Sequence, residues 1–172
     1  FEDKVLNIAV NDGSDKEYGI AQSETTNTIL RLDLSNKEWY VFNDNYGTSE
    51  EKHLVKFINK TYDRLKERYD RIYLVRNEKH IQLYNFDDGR PLEPDFVLFL
   101  EKKDSEQSLH YQVFIEPKGD HLLKQDEWKE KFLKSLRDRA QIHILWKTKK
   151  YTVWGLPFYN EQFKKAEFEK EF

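Results

Sequence analysis

Over the first 47 residues apolar positions come in short alternating runs, such as Leu30, Leu32 and Leu34 interleaved with Arg31 and Asp33, the signature of a strand with one buried face. Runs at 5–10, near 19–22, 28–34 and 38–42, broken by Asn11-Asp12-Gly13 and Ser35-Asn36-Lys37, predict an N-terminal antiparallel β extension over 1–47. The period then changes. Leu54, Ile58, Thr61, Tyr62, Leu65 and Tyr69 form one stripe at helical spacing, so 48–69 is predicted as a helix. Thr48 followed three residues later by Glu51 is a capping box.

Downstream, 71–77 and 81–86 read as a hairpin around Glu78-Lys79-His80, and Asp87-Asp88-Gly89-Arg90 as a turn. The central stretch 94–118 follows: a continuous apolar strand from Pro94-Asp95, a polar connection at 101–109, and a second strand ending Glu116-Pro117-Lys118. Trp128, Phe132, Leu136 and Ala140 predict a second helix from Asp126 to about Arg139. Strands at 141–146 and 151–156, joined by Lys147-Thr148-Lys149-Lys150, and a helical segment at 158–172 complete the chain. The expected fold class is α/β, a mixed sheet flanked by helices over 48–172, with the β extension of 1–47 in one compact unit.

The composition narrows the chemistry. Ten Tyr, twelve Phe and four Trp in 172 residues give a chain able to bury a core. With no Cys, a disulfide framework, a thiolate zinc site and a cysteine nucleophile are excluded. The chain starts at Phe1 and contains no Met, which is compatible with a piece of a longer protein. No apolar run is long enough to span a bilayer and no signal-peptide pattern opens the chain, so a cytoplasmic protein is expected. There is no GxxxxGK[ST] loop, hence no ATP site, and neither GxSxG nor a dinucleotide fingerprint.

If the two central strands pair antiparallel, the start of one lies beside the end of the other, and Asp95 falls opposite Glu116. Glu116 and Lys118 then share a face, because side chains alternate along a strand. Two carboxylates on a buried sheet resist ionising unless a positive group lies between them, either a lysine or a metal ion. Mg²⁺, which keeps several waters, suits such a site. Other charged groups have plainer readings. Asp87 and Asp88 sit in a turn where acids cap backbone amides, His121 is in a loop, and the remaining histidines lack metal-ligand spacing. Lys129 on the second helix and Lys147, Lys149 and Lys150 at the hairpin tip are candidates for DNA phosphate contact, against solvated or edge-protecting roles.

Pro94-Asp95 opening one strand and Glu116-Pro117-Lys118 closing the next resemble the PD-(D/E)xK nuclease superfamily, and the longer wording of the stretch is similar to the C-terminal endonuclease domain of type III restriction Res subunits. The resemblance, from about Thr48 to about Leu156, implies a restriction-endonuclease-like fold and Mg²⁺-dependent cleavage of double-stranded DNA, with Mn²⁺ able to substitute. It further implies that Asp95, Glu116 and the Pro117 carbonyl hold the metal and that Lys118 aligns or activates the attacking water. Glu51 would be a third acid on the preceding helix. A helicase or translocase domain in the full-length protein and a methyltransferase subunit would be partners. The formal net charge of −3 is unusual for a nucleic-acid binder unless acids cluster at the metal or another domain supplies DNA affinity. The alternative is a non-catalytic domain of the same fold that holds DNA or docks subunits.

Overall fold

A strand apolar on both faces needs a helix layer on each side and a neighbour on each edge, and β4 (Phe96–Lys103) has all four. In the computed structural model, which describes residues 15–103, 108–139, 145–146 and 149–172, β4 lies between β1 (Arg71–Arg76) and β5 (Ser108–Ile115), antiparallel to both. Phe96, Leu98 and Leu100 face α1 (Ser49–Lys66), whereas Val97 and Phe99 face α2 (Glu127–Arg139). β7 (Lys149–Gly155) joins β5 in parallel after α2 crosses over, and β6 (Leu145–Trp146) pairs antiparallel with β7. The sheet order β1-β4-β5-β7-β6 is mixed and flanked by helices, as expected.

α1 begins with the predicted capping box: Thr48 Oγ1 accepts from the Glu51 amide and the Glu51 carboxylate accepts from the Thr48 amide. Leu54, Val55, Phe57, Ile58 and Leu65 bury its inner face, each contributing roughly 1.5–3 kcal/mol. On the opposite layer α2 approaches β7 so closely that a Cβ on Gly155 would lie 2.6 Å from the Leu133 carbonyl oxygen. Among the described residues no helix is long and apolar enough to cross a membrane.

Three sequence expectations are corrected. Residues 15–47 form turns in place of a β extension, with one isolated bridge between Tyr40 and Leu74; the expected run at 5–10 lies outside the described residues. Short polar side chains satisfy this segment's amides, locally where Asp33 Oδ1 accepts from the Ser35 amide at 2.9 Å and across the segment where Asp44 Oδ1 accepts from the Gln22 amide at 2.8 Å. The alternating Leu30 and Leu34 are buried in a wrap over α1. That wrap is fastened by Lys52, whose Nζ donates to the Glu17 carbonyl, and by Asp15, whose Oδ2 accepts from the Ser49 amide at 2.8 Å.

The hairpin expected between 71–77 and 81–86 does not form either, because β1 pairs with β4. Asn77 turns the chain away: Oδ1 accepts from the Ile81 amide at 2.9 Å, while Nδ2 donates to the carbonyls of Ile81 at 2.7 Å and Pro94 at 2.9 Å. Residues 77–94 instead carry a separate small hairpin, β2 (Leu83–Tyr84) with β3 (Pro91–Leu92), which turns through Gly89 at φ 70°. Finally, α3 is only Lys165–Glu171: Tyr159 bridges to Pro117, and a turn over 161–164 leads from there into the helix.

Candidate functional site

The register Phe96 to Ile115, continued by one position, sets Asp95 opposite Glu116 at the end of the central strand pair. The contact is direct, since the Asp95 amide donates to Glu116 Oε2 at 3.0 Å. Glu116 is 2 % exposed, and its Oε1 receives Lys118 Nζ at 2.9 Å. Lys118 Nζ also lies 2.9 Å from Asp126 Oδ2, just ahead of α2. Lys129, in the first turn of α2, lies 3.1 Å from that same oxygen and 3.8 Å from Glu116 Oε1. Asp95, Glu116 and Lys118 thus meet as expected, joined by Asp126 and Lys129.

Asp95 is half-buried, and among the described residues no hydrogen bond or ion pair reaches its carboxylate. Burial, then the charges of Glu116 and Glu51, push its pKa well above the ordinary value; Lys118 and Arg76 offset this only partly. Burial alone would lower the Lys118 pKa, but Glu116, Asp126 and Asp95 more than reverse it, so the ammonium holds its proton more tightly than usual. Asp126 moves the opposite way: burial raises it, yet Lys118 and Lys129 bring its carboxyl below the usual value.

Glu51 reaches the rim of this cluster with both oxygens committed, Oε1 to Arg76 Nη2 at 3.1 Å and Oε2 to the Thr48 amide. It therefore serves as cap and counterion in this structure, and among the described residues no group of three His, Cys, Asp or Glu side chains is arranged to hold a metal ion. Arg76, at the end of β1, was not singled out by the sequence; an arginine closing a strand carries no distinguishing pattern. It also lies 3.6 Å from Glu78. Beside it the Tyr40 hydroxyl is buried without a hydrogen-bond partner among the described residues.

The remaining candidates lie elsewhere. Asp88 Oδ1 caps the Arg90 amide at 3.0 Å, Asp87 pairs with Arg139 at 2.7 Å, and His121 is exposed. Lys147 lies outside the described residues. The backbones of Lys149 and Lys150 pair with Ser108 and Leu109, at the far end of β5 from Glu116. At about 3.3 Å per residue that separation is roughly 23 Å, so of the three candidates among the described residues only Lys129 stands at the acid cluster.

The donor chemistry fits a hard divalent cation held mainly through water. Asp95 offers a carboxylate without a partner among the described residues, Glu116 a second one now neutralised by Lys118, and the Pro117 carbonyl accepts no hydrogen bond among those residues.

A family model described as HI_1054_C, C-terminal domain, matches residues 15–172, the whole of the site included. The chain belongs to that family. An uncharacterized protein of Haemophilus influenzae is 36% identical over 168 residues, which cover 93% of this chain. The chain spans 35% of that relative's length. No solved structure matches. The family match encloses Asp95, Glu116, Lys118 and Asp126 alike.

Proposed function

We propose that this domain is a metal-dependent nuclease that hydrolyses phosphodiester bonds of double-stranded DNA, in the manner of type III restriction endonuclease domains. One observation carries the reading: Asp95, whose carboxylate has no partner among the described residues, lies opposite Glu116 and its ion-paired Lys118 at two strand ends, far apart in sequence and joined by the strand register. Asp95, Glu116 and the Pro117 carbonyl would hold Mg²⁺, or Mn²⁺ in its place. When bound, the metal supplies a low-pKa water and neutralises charge on the phosphate.

The protein's own contribution is electrostatic. Lys118 is kept protonated by its two carboxylates, so it acts as a fixed ammonium that stabilises charge developing on the phosphate and orients the water. It is a poor proton acceptor for the same reason. Lys129 offers a second cation, 24 % exposed, toward a phosphate oxygen. A cytoplasmic setting, a motor domain in the remainder of a longer protein and a methyltransferase partner belong to this proposal.

Plasmid cleavage with Mg²⁺ or Mn²⁺ tests it, comparing wild type with Asp95→Ala and Lys118→Ala. Loss in both variants is expected, and equal cleavage by all three ends the proposal. One observation favours a non-catalytic domain that holds DNA or docks a subunit: Glu116 is already neutralised by Lys118. Calorimetric titration of Mn²⁺ separates the readings, because the nuclease requires metal uptake that disappears in Asp95→Asn.

A further inference from the structure

For Glu116 to hold a cation it must release Lys118, whose side chain is only 11 % exposed. An ammonium left there without a carboxylate would be costly. The structure already holds the answer to this problem on a different element. Asp126 Oδ2 lies 2.9 Å from the same Nζ, ahead of α2 and beyond the strand that carries Glu116. That oxygen also keeps Lys129 at 3.1 Å, so Lys129, which lies 3.8 Å from Glu116, is held by it as well. Asp126 is 16 % exposed and binds no backbone amide that would give it a capping duty among the described residues.

We propose that Asp126 is a positioning residue that retains the Lys118 ammonium when Glu116 turns to a divalent cation, so that metal and lysine occupy the site together. This rests on the nuclease reading of the same acids. No bond is made or broken in the hand-over; one ion pair, Lys118 with Glu116, is exchanged for a cation on Glu116, while the pair with Asp126 persists. A site lacking Asp126 would have to choose between its lysine and its metal.

The test is Mn²⁺ calorimetry on wild type, Asp126→Asn, Asp126→Glu, Lys118→Ala and the double variant Asp126→Asn with Lys118→Ala, with DNA cleavage measured alongside. Asp126→Asn is expected to weaken Mn²⁺ uptake about tenfold, as loss of a charge-assisted contact does. Asp126→Glu should restore most of it. In the Lys118→Ala background the same substitution should change uptake by less than about twofold, because there is no ammonium to retain. Simple loss of a negative charge would weaken both backgrounds equally, and that result overturns the proposal. So does unchanged uptake in Asp126→Asn while Asp95→Asn abolishes it, an outcome that leaves the nuclease reading standing. Uptake that is absent from wild type, or alike in wild type and Asp95→Asn, removes the nuclease reading and this inference together. In cleavage, Asp126→Asn should lower kcat by roughly tenfold with KM for DNA little changed, the pattern of an interaction used in the transition state.

Discussion

The amide of Asp95 donates to the carboxylate of Glu116 at 3.0 Å, so the residue that opens one central strand is tied to the side chain that closes the other. Glu116 thereby has two duties on two oxygens, the second being the Lys118 ammonium at 2.9 Å. Removing it strands an amide and takes one of two carboxylates from a mostly buried cation. Glu116→Ala is expected to destabilise the fold by about 3 kcal/mol, the scale of breaking a buried pair on one side. Asp126 keeps the figure from rising further, since it still holds Lys118. Urea unfolding measures it, and a loss below about 0.5 kcal/mol would show that the pair is no more than a surface one.

The other acid pulls in the opposite direction. Asp95 has its pKa raised in the folded chain by burial and by the charges of Glu116 and Glu51. From the unfolded carboxylate range upward, the folded state therefore binds more protons than the unfolded one, and stability falls as pH rises until the folded pKa is passed. Asp95→Asn removes that cost. The variant should be more stable than wild type in metal-free buffer, with a gain that grows from about pH 4 toward neutrality. Mg²⁺ should raise the melting temperature of wild type and leave Asp95→Asn unmoved. A variant less stable than wild type at neutral pH would contradict the unfavourable ionisation of Asp95.

Close packing between α2 and β7 gives a prediction independent of any chemistry. A Cβ on Gly155 would lie 2.6 Å from the Leu133 carbonyl oxygen and 2.8 Å from its Cβ, contacts that require backbone to move. Gly155→Ala should cost about 1–3 kcal/mol. The shift would be carried by α2, which also brings Lys129 to the acid cluster. Thermal unfolding checks the stability, and a neutral substitution would mean that α2 can slide freely on the sheet.

Much of the site was legible in the sequence because its geometry is local to one strand pair. Once 94–100 and 110–118 pair, alternation and register leave Asp95 and Glu116 nowhere to be but opposite each other. What failed was long-range pairing and segments with two satisfactory solutions. The alternating leucines of 28–34 fit a strand and a buried wrap equally well, and the Asx-type hydrogen bond at Asp33, with the long-range tie from the Gln22 amide to Asp44, decided for the wrap. β1 looked ready to pair with its sequence neighbour, but the doubly buried β4 needed a second edge partner, and the four side-chain hydrogen bonds of Asn77 turned the chain aside. Asp126 and Arg76 escaped notice since their roles depend on which elements meet, which neither periodicity nor a short motif encodes.

Glu51 is where two functions of one residue compete, and the structure makes the choice testable. Its oxygens are taken by the Thr48 amide and by Arg76, so as found it closes a helix cap and neutralises an arginine that is 17 % exposed. If that is its whole role, Glu51→Gln should keep the cap, because an amide oxygen can still accept from Thr48, and should lose only the charge pairing with Arg76. Mn²⁺ affinity should then change by less than about threefold, the modest effect of removing one nearby negative charge without a ligand. Arg76→Ala should be the more damaging change, at about 3 kcal/mol, because it leaves the Glu51 charge buried beside Asp95. The two effects should not add: with Glu51 already neutral, removing Arg76 should cost markedly less, and a double-mutant cycle on unfolding measures the difference. A Glu51→Gln protein that folds normally yet no longer takes up Mn²⁺ would show instead that the cap opens and Glu51 turns to the metal.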